Sequence, residues 1–232
     1  MIFGGMQRNS SIDFPGVLSC VLFTTGCNLD CFYCHNRNLL SHTDKSANIE
    51  EQSVMEFLHR RIGLLDGVVI SGGEPTLQKD LPEFIVKIKQ MGYKVKLDTN
   101  GQNPEMLRKI IGNTKTRPDY VAVDLKSTQE GYPAVCKTKE NGWQKTIESI
   151  KLLFDKVPFE VRTTIYPGMT MGDLKNILTD LPKLPKWRIN HFVMPKEYSP
   201  KDLCKFEMPL LSQGNIKETL PELLSLQPNL IA

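Results

Sequence analysis

The sequence has 232 residues, of which 40% are hydrophobic, 8% aromatic and 24% charged. This composition is typical of a folded globular protein and argues against disorder. The formal net charge of +3 at pH 7 is too small to indicate nucleic-acid binding. The sequence lacks an apolar stretch of about 18 residues and a secretory signal pattern at its N-terminus, so we expect a cytoplasmic protein that does not span a membrane.

One pattern recurs along the chain: a run of apolar, often β-branched residues, then a loop, then a stretch with helical periodicity. It predicts six strands that alternate with helices, with Asn48 as the cap of the first helix. In chain order, the predicted elements are strand 17–24, helix 49–62, strand 67–71, helix 79–91, strand 93–97, a helix from residue 104, strand 120–123, helix 142–154, strand 159–165, helix 171–181 and strand 188–193.

Six strand–helix units imply a parallel sheet, because neighbouring parallel strands need a crossover connection. Six is two fewer than a closed eightfold barrel has, so we expect an α/β fold with a partial (β/α)6 barrel over residues 1–194. The proline-rich residues 195–232 are predicted to form an irregular extension packed on the barrel, with one short helix over 216–226. Ligands bind at the C-terminal ends of the strands in such folds, which is where the unusual residues cluster.

The sequence contains six cysteines, and three of them, Cys27, Cys31 and Cys34, lie within eight residues. In a reducing compartment such a cluster indicates a metal or catalytic site and not a disulfide framework. Three thiolates can bind three irons of a [4Fe–4S] cubane and leave the fourth iron open, as catalytic metal sites do. A zinc site is the alternative, although His35, next to Cys34, is awkwardly placed as a fourth ligand.

The cysteine motif, with Tyr33 before its last cysteine, resembles the signature of the radical S-adenosylmethionine (SAM) superfamily. The segment Gly72-Gly73-Glu74, after the second predicted strand, resembles the second motif of that superfamily. Residues 11–16, 34–36, 98–101 and 124–126 resemble segments of glycyl-radical-enzyme activases. The strings GVVISGGEPTLQ and KVKLDTNG are most similar to activators of anaerobic ribonucleoside-triphosphate reductases, and next to pyruvate formate-lyase activating enzymes.

This resemblance implies one [4Fe–4S] cluster, ligated by Cys27, Cys31 and Cys34, with SAM bound to its open iron. The glycines make physical sense, because a backbone without Cβ atoms can approach a ligand closely. From the pyruvate formate-lyase activases it further implies a monovalent cation at Asp98 and Asp124, whose oxygens suit a hard cation. The residues expected near SAM are Tyr33, His35, Gly72, Gly73, Glu74, Lys126 and Arg162.

The implied activity is reductive cleavage of SAM, followed by hydrogen abstraction from a backbone glycine of a partner enzyme. The partner expected first is anaerobic ribonucleotide reductase, and the electron donor a flavodoxin or ferredoxin. Two other hypotheses stay open at this point. One is a radical SAM enzyme acting on a small molecule, of the deazapurine-forming type, and the other is an electron carrier or zinc module without enzymatic activity.

Several positions depart from the activase pattern or stay without a role in the site. Some activases carry a histidine after the sixth strand that contacts the ribose of SAM, but residues 194–198 contain none, and we interpret His191 as structural. Cys20 falls inside the first predicted strand and is expected to be a small core residue. Cys136 and Cys204 lie in segments without a clear pattern and are left unassigned.

Overall fold

The computed structural model describes residues 1–40, 48–138 and 142–232. Its strands are β1 (Ile2–Ser10), β2 (Ser19–Thr24), β3 (Ile49–Glu50), β4 (Gly67–Gly72), β5 (Lys94–Thr99), β6 (Tyr120–Asp124), β7 (Phe159–Thr164), β8 (Trp187–Asn190) and β9 (Leu230–Ile231). Its α-helices are α1 (Glu51–His59), α2 (Leu81–Gln90), α3 (Pro104–Ile111), α4 (Tyr132–Cys136), α5 (Gly142–Leu153), α6 (Met171–Thr179), α7 (Leu203–Phe206) and α8 (Gln213–Leu226).

All the strands belong to one sheet, in the order β3-β1-β2-β4-β5-β6-β7-β8-β9. The six predicted strands correspond to β2 and β4 to β8, and they pair with one another in parallel. In the described part of the chain β3 and β9 are the edge strands and do not pair with each other, so the barrel stays open. The predicted α/β fold with a partial parallel barrel is confirmed.

The core lies between the strands and the helices that cover them. Strand β4 contributes Val68, Val69 and Ile70, all fully buried, because its neighbours on both sides and the layers on both faces exclude water. Helix α2 buries Phe84 and Ile85 while its lysines stay at the surface. Burying large apolar side chains of this kind stabilises the fold by about 1.5–3 kcal/mol each, before the loss of conformational entropy is counted.

The sequence analysis missed β1, which pairs antiparallel with β2. Its glycines and polar residues have low strand propensity, and its hydrogen-bond partners come from β2 and β3. The first predicted helix starts too early, because Ile49 and Glu50 pair with β1 as β3 and Glu50, not Asn48, is the N-cap. Both errors have the same cause: β1 and β3 form by pairing with strands that are distant in the sequence, and such pairing does not change the local periodicity of apolar residues.

The C-terminal part of the chain adds to the sheet. Strand β9 pairs in parallel with β8, and α8 packs against α6. The predicted sixth strand is too long, since β8 ends at Asn190 and Val193 is exposed.

The short helix α4 was not predicted, because five residues with a proline in the first turn give no helical period.

Candidate active site

A cavity of about 350 Å³ opens at the C-terminal ends of the parallel strands. The loop after β2, the turn after β4 and the ends of β5, β6 and β7 form its wall. This is the edge at which parallel α/β folds bind their ligands. Eleven of the twelve site residues predicted from the sequence line the cavity: Cys27, Cys31, Tyr33, Cys34, His35, Gly72, Gly73, Asp98, Asp124, Lys126 and Arg162.

Backbone hydrogen bonds hold the cysteine loop in place. The amide of Asp30 donates to the carbonyl of Cys136 and that of Phe32 to the carbonyl of Val135, both at 3.1 Å. Cys34 N donates to Cys31 O at 3.1 Å, which closes a turn between two of the thiols. Helix α4 therefore serves as a support for the loop, and the thiols of the motif face one cavity.

Burial disfavours negative charge on these thiols as long as nothing is bound to them. It raises the pKa of Cys27 to about 12 and also raises the pKa of Cys34. A hydrogen bond with Cys136, whose Sγ lies 3.4 Å away, lowers the pKa of Cys31. Metal binding deprotonates such thiols and supplies the positive charge that a buried thiolate needs.

The arrangement of the thiols fits a cluster better than a single ion. Among the described residues, no three His, Cys, Asp or Glu side chains are placed to hold one metal ion. A zinc ion needs such a set, with every ligand atom within about 2.0–2.3 Å of the metal. A cubane binds each thiolate to a different iron, so its ligands can lie farther apart.

The glycine pair at the end of β4, Gly72 and Gly73, allows two backbone segments to touch. Gly73 N donates to Thr24 O at 2.9 Å, and a Cβ at Gly73 would lie 2.1 Å from Gly26 O. Gly72 has φ of +119°, and a Cβ there would lie 2.3 Å from Thr24 N. No other residue type fits these positions without moving the backbone. The turn after β4 is thus pressed against the start of the cysteine loop.

Glu74 is the one predicted site residue that does not line the cavity. Its fully buried carboxylate accepts hydrogen bonds from Thr76 N at 3.0 Å, from Thr99 Oγ1 at 2.7 Å and from Asn100 N at 2.7 Å. Burial raises the pKa of Glu74, and these hydrogen bonds oppose that rise. The side chain links the turn after β4 to the end of β5 and does not reach the cavity.

Charged side chains alternate in sign along the opposite wall. Asp124 and Arg162 are paired residues of β6 and β7, and Arg162 Nε lies 2.8 Å from Asp124 Oδ1. Lys126 Nζ lies 2.9 Å from Asp124 Oδ2. Burial alone would raise the pKa of Asp124, but the two cations hold it well below its usual range. The same pairing raises the pKa of Lys126 and Arg162, so both stay positively charged.

Two further residues offer unused polar groups to the cavity. Tyr33 is buried and stacks on Tyr166 with ring centroids 5.4 Å apart, but its hydroxyl has no hydrogen-bond partner in the part of the chain described. Such a buried orphan is expected where a ligand completes the site. His191, interpreted from the sequence as structural, follows β8 directly, is exposed and lines the cavity. The ring is at the mouth because β8 ends three residues earlier than predicted.

The sequence analysis missed two asparagines. Asn100 Nδ2 donates to Asn28 Oδ1 at 2.8 Å and lies 3.7 Å from Cys27 Sγ. Asn36 Nδ2 donates to Gly72 O at 3.4 Å. Both residues line the cavity and belong to segments that carried the resemblance to the activases. That membership was the available signal, but only Cys34, His35 and Asp98 were predicted as site residues from these segments.

The model of the Radical SAM superfamily matches residues 21–181. This chain belongs to the radical SAM superfamily. A Methanocaldococcus jannaschii protein, provisionally named as a glycyl-radical enzyme activating enzyme, is 34% identical over 215 residues, which is 90% of this chain and 86% of that protein. The pyruvate formate-lyase-activating enzyme of Clostridium pasteurianum is 28% identical over 206 residues, 80% of this chain and 81% of that enzyme.

Other proteins match this chain over less of their own length or only in fold. A protein of Sulfolobus acidocaldarius, provisionally named as a GTP 3′,8-cyclase, is 33% identical over 135 residues, 56% of this chain but 41% of that protein. The structure of TYW1 with a lysine-pyruvate adduct superposes with a TM-score of 0.61 at 18% identity, over 90% of this chain and 73% of that one. As for membranes, no helix in the described residues has the length and apolarity to cross a bilayer.

Replacing Gly73 by alanine should disrupt the cavity, because the new Cβ would collide with the backbone at Gly26. We expect SAM affinity of the reconstituted protein to fall by about tenfold or more, as measured by equilibrium dialysis. The matched control is Gly172→Ala in α6, where the nearest atom to a new Cβ is 3.6 Å away. Equal SAM affinity of the two variants would contradict this account of the turn.

Replacing Glu74 by glutamine should destabilise the fold. The amide keeps one acceptor oxygen and turns a donor toward groups that themselves donate, so a buried hydrogen bond is lost. We expect the free energy of unfolding in urea at pH 7 to fall by about 1–3 kcal/mol. Glu148→Gln on α5, which breaks a half-exposed ion pair with Arg108, serves as the control and should change little. Similar losses in both variants would show that Glu74 does not link the two loops.

Proposed function

We propose that this protein is a radical SAM activating enzyme that installs a glycyl radical on a partner enzyme. The observation that carries the proposal is the convergence of three thiols, one buried and two half-buried, and a wall of paired charges on one cavity. When bound there, a [4Fe–4S] cluster supplies the electron that cleaves SAM to methionine and a 5′-deoxyadenosyl radical.

The residues of the chain divide the binding of this cofactor pair among them. Cys27, Cys31 and Cys34 hold the cluster. Lys126 and Arg162 face the carboxylate of SAM, Arg162 through its planar guanidinium. The remaining contacts, to the amino group and the nucleoside of SAM, come from the backbone of the glycine turn and from Tyr33, His35 and His191.

His191 takes the place of the ribose-contacting histidine that some activases carry after the sixth strand. The position of His191 supports this role. It is the first residue after β8, the sixth strand of the parallel series, and it lines the cavity. The missing histidine of residues 194–198 is therefore no obstacle to SAM binding.

The open side of the barrel favours a peptide substrate. A glycine within a protein loop can reach the cavity only if the mouth admits a chain, and β3 and β9, the described edge strands, leave the barrel unclosed. The relative from Methanocaldococcus jannaschii supports this class of substrate, because the match extends over most of both chains. We propose anaerobic ribonucleotide reductase as the partner, a flavodoxin or ferredoxin as the electron donor, and the cytoplasm as the location.

Electron paramagnetic resonance (EPR) of the partner tests this function. After anaerobic reconstitution with iron and sulfide, the protein, SAM, a reductant and the reductase together should give a glycyl-radical signal that is absent when any one is omitted. Cys31→Ala should abolish the signal, whereas Cys204→Ala, a change at an exposed cysteine, should preserve it. A signal with pyruvate formate-lyase alone would assign the other activase class. SAM consumption that requires a small molecule and no protein partner would overturn the proposal.

A further inference from the structure

A chain of five charged side chains runs through the barrel interior: four of them line the cavity, and the fifth, Lys96, is buried and does not line it. Lys96 Nζ lies 2.5 Å from Asp98 Oδ1, and Arg162 Nη1 lies 3.1 Å from Asp98 Oδ2. Arg162 Nε and Lys126 Nζ approach the two oxygens of Asp124 at 2.8 Å and 2.9 Å. Every oxygen of the two carboxylates is thus paired with a cationic nitrogen of the protein.

This arrangement does not fit the monovalent cation that the resemblance to pyruvate formate-lyase activases implied. A metal cation would need carboxylate oxygens free to enter its coordination shell. Here the guanidinium of Arg162 lies between Asp98 and Asp124 and bonds to both. The group already holds three positive and two negative charges, so a further cation would add repulsion in a poorly solvated place.

Lys96 is the unusual member of the chain. It is 1% exposed, and a lysine is seldom buried unless it is paired. Because Lys96 and Asp98 are two residues apart on β5, both side chains project from the same face of the sheet. The ammonium therefore meets Asp98 from below, while Arg162 meets it from the side of the cavity.

We propose that Lys96, together with Arg162, takes the place of an inorganic cation in this protein, so that SAM binding requires neither potassium nor sodium. The inference rests on the proposed binding of SAM in this cavity. Lys96 is a positioning residue: it neutralises Asp98, which in turn orients Arg162. The surplus of one positive charge in the group complements the carboxylate of SAM.

The test compares SAM affinity and thermal unfolding of the reconstituted protein in potassium chloride and in N-methyl-D-glucamine chloride at equal ionic strength. The natural protein should behave alike in both salts. Lys96→Met should bind SAM about tenfold more weakly in the organic salt and recover in potassium chloride, because potassium then occupies the vacated position beside Asp98. Lys96→Arg should need no potassium, and the double variant Lys96→Met/Asp98→Asn should show no response to it.

Two results would overturn the proposal. The first is a saturable effect of potassium on the natural protein, a measurement that needs no variant to fold. The second is a Lys96→Met protein that binds SAM equally in both salts. Both readouts omit the partner enzyme, so a failure to form a glycyl radical leaves this inference untouched. If SAM binds under no condition, the proposed function fails, and the effect of potassium on thermal unfolding still decides the role of Lys96.

Discussion

The site depends on a direct contact between two backbone segments, the end of β2 with the start of the cysteine loop and the turn after β4. Gly73 N and Glu74 N donate to the carbonyls of Thr24 and Gly26, with no side chain between the segments. This contact fixes where the cysteine loop leaves the barrel. It also explains the glycine pair without reference to any ligand, since a Cβ at either position would collide with the backbone opposite. A side chain at either glycine would push the two segments apart and so displace the thiols, even without touching a ligand.

The two sides of the cavity differ in how their charges are balanced. On one side, burial raises the pKa of Cys27 and Cys34, so thiolate charge there needs a metal centre to balance it. On the other side, the aspartates and basic residues balance one another within the protein. The first side is therefore incomplete without its cofactor, whereas the second is built to hold a fixed positive surplus. A zwitterionic ligand such as SAM suits a site with this division.

The strands that are buried by their neighbours could be predicted from the sequence, because such strands appear as continuous runs of apolar residues. The sequence could not predict β1, in which glycines and polar residues interrupt the apolar ones and whose strand conformation depends on pairing with β2. Within the site, the motifs located the cysteines, the glycines and the aspartates. They gave no way to see that the carboxylate of Glu74 is satisfied by Thr99 and Asn100, which lie 25 and 26 residues away.

The role of Lys96 could not be predicted from the sequence either. A lysine in an apolar strand reads as a surface residue, and only the fold places its ammonium beneath Asp98. The position of His191 at the cavity was not predicted, because the strand before it was expected to continue to residue 193, which would have placed the imidazole within the sheet. Roles that depend on where a strand stops, or on which residues meet across the barrel, follow from tertiary structure alone.

The proposed function requires that the three thiols hold a cubane with one iron open to SAM. EPR of the anaerobically reconstituted and reduced protein tests it most directly, before and after addition of SAM. We expect a cluster signal whose shape changes when SAM is added, because SAM would bind at the open iron. A cluster signal that SAM leaves unaltered, or a reconstituted protein that contains zinc and no iron, would contradict the account.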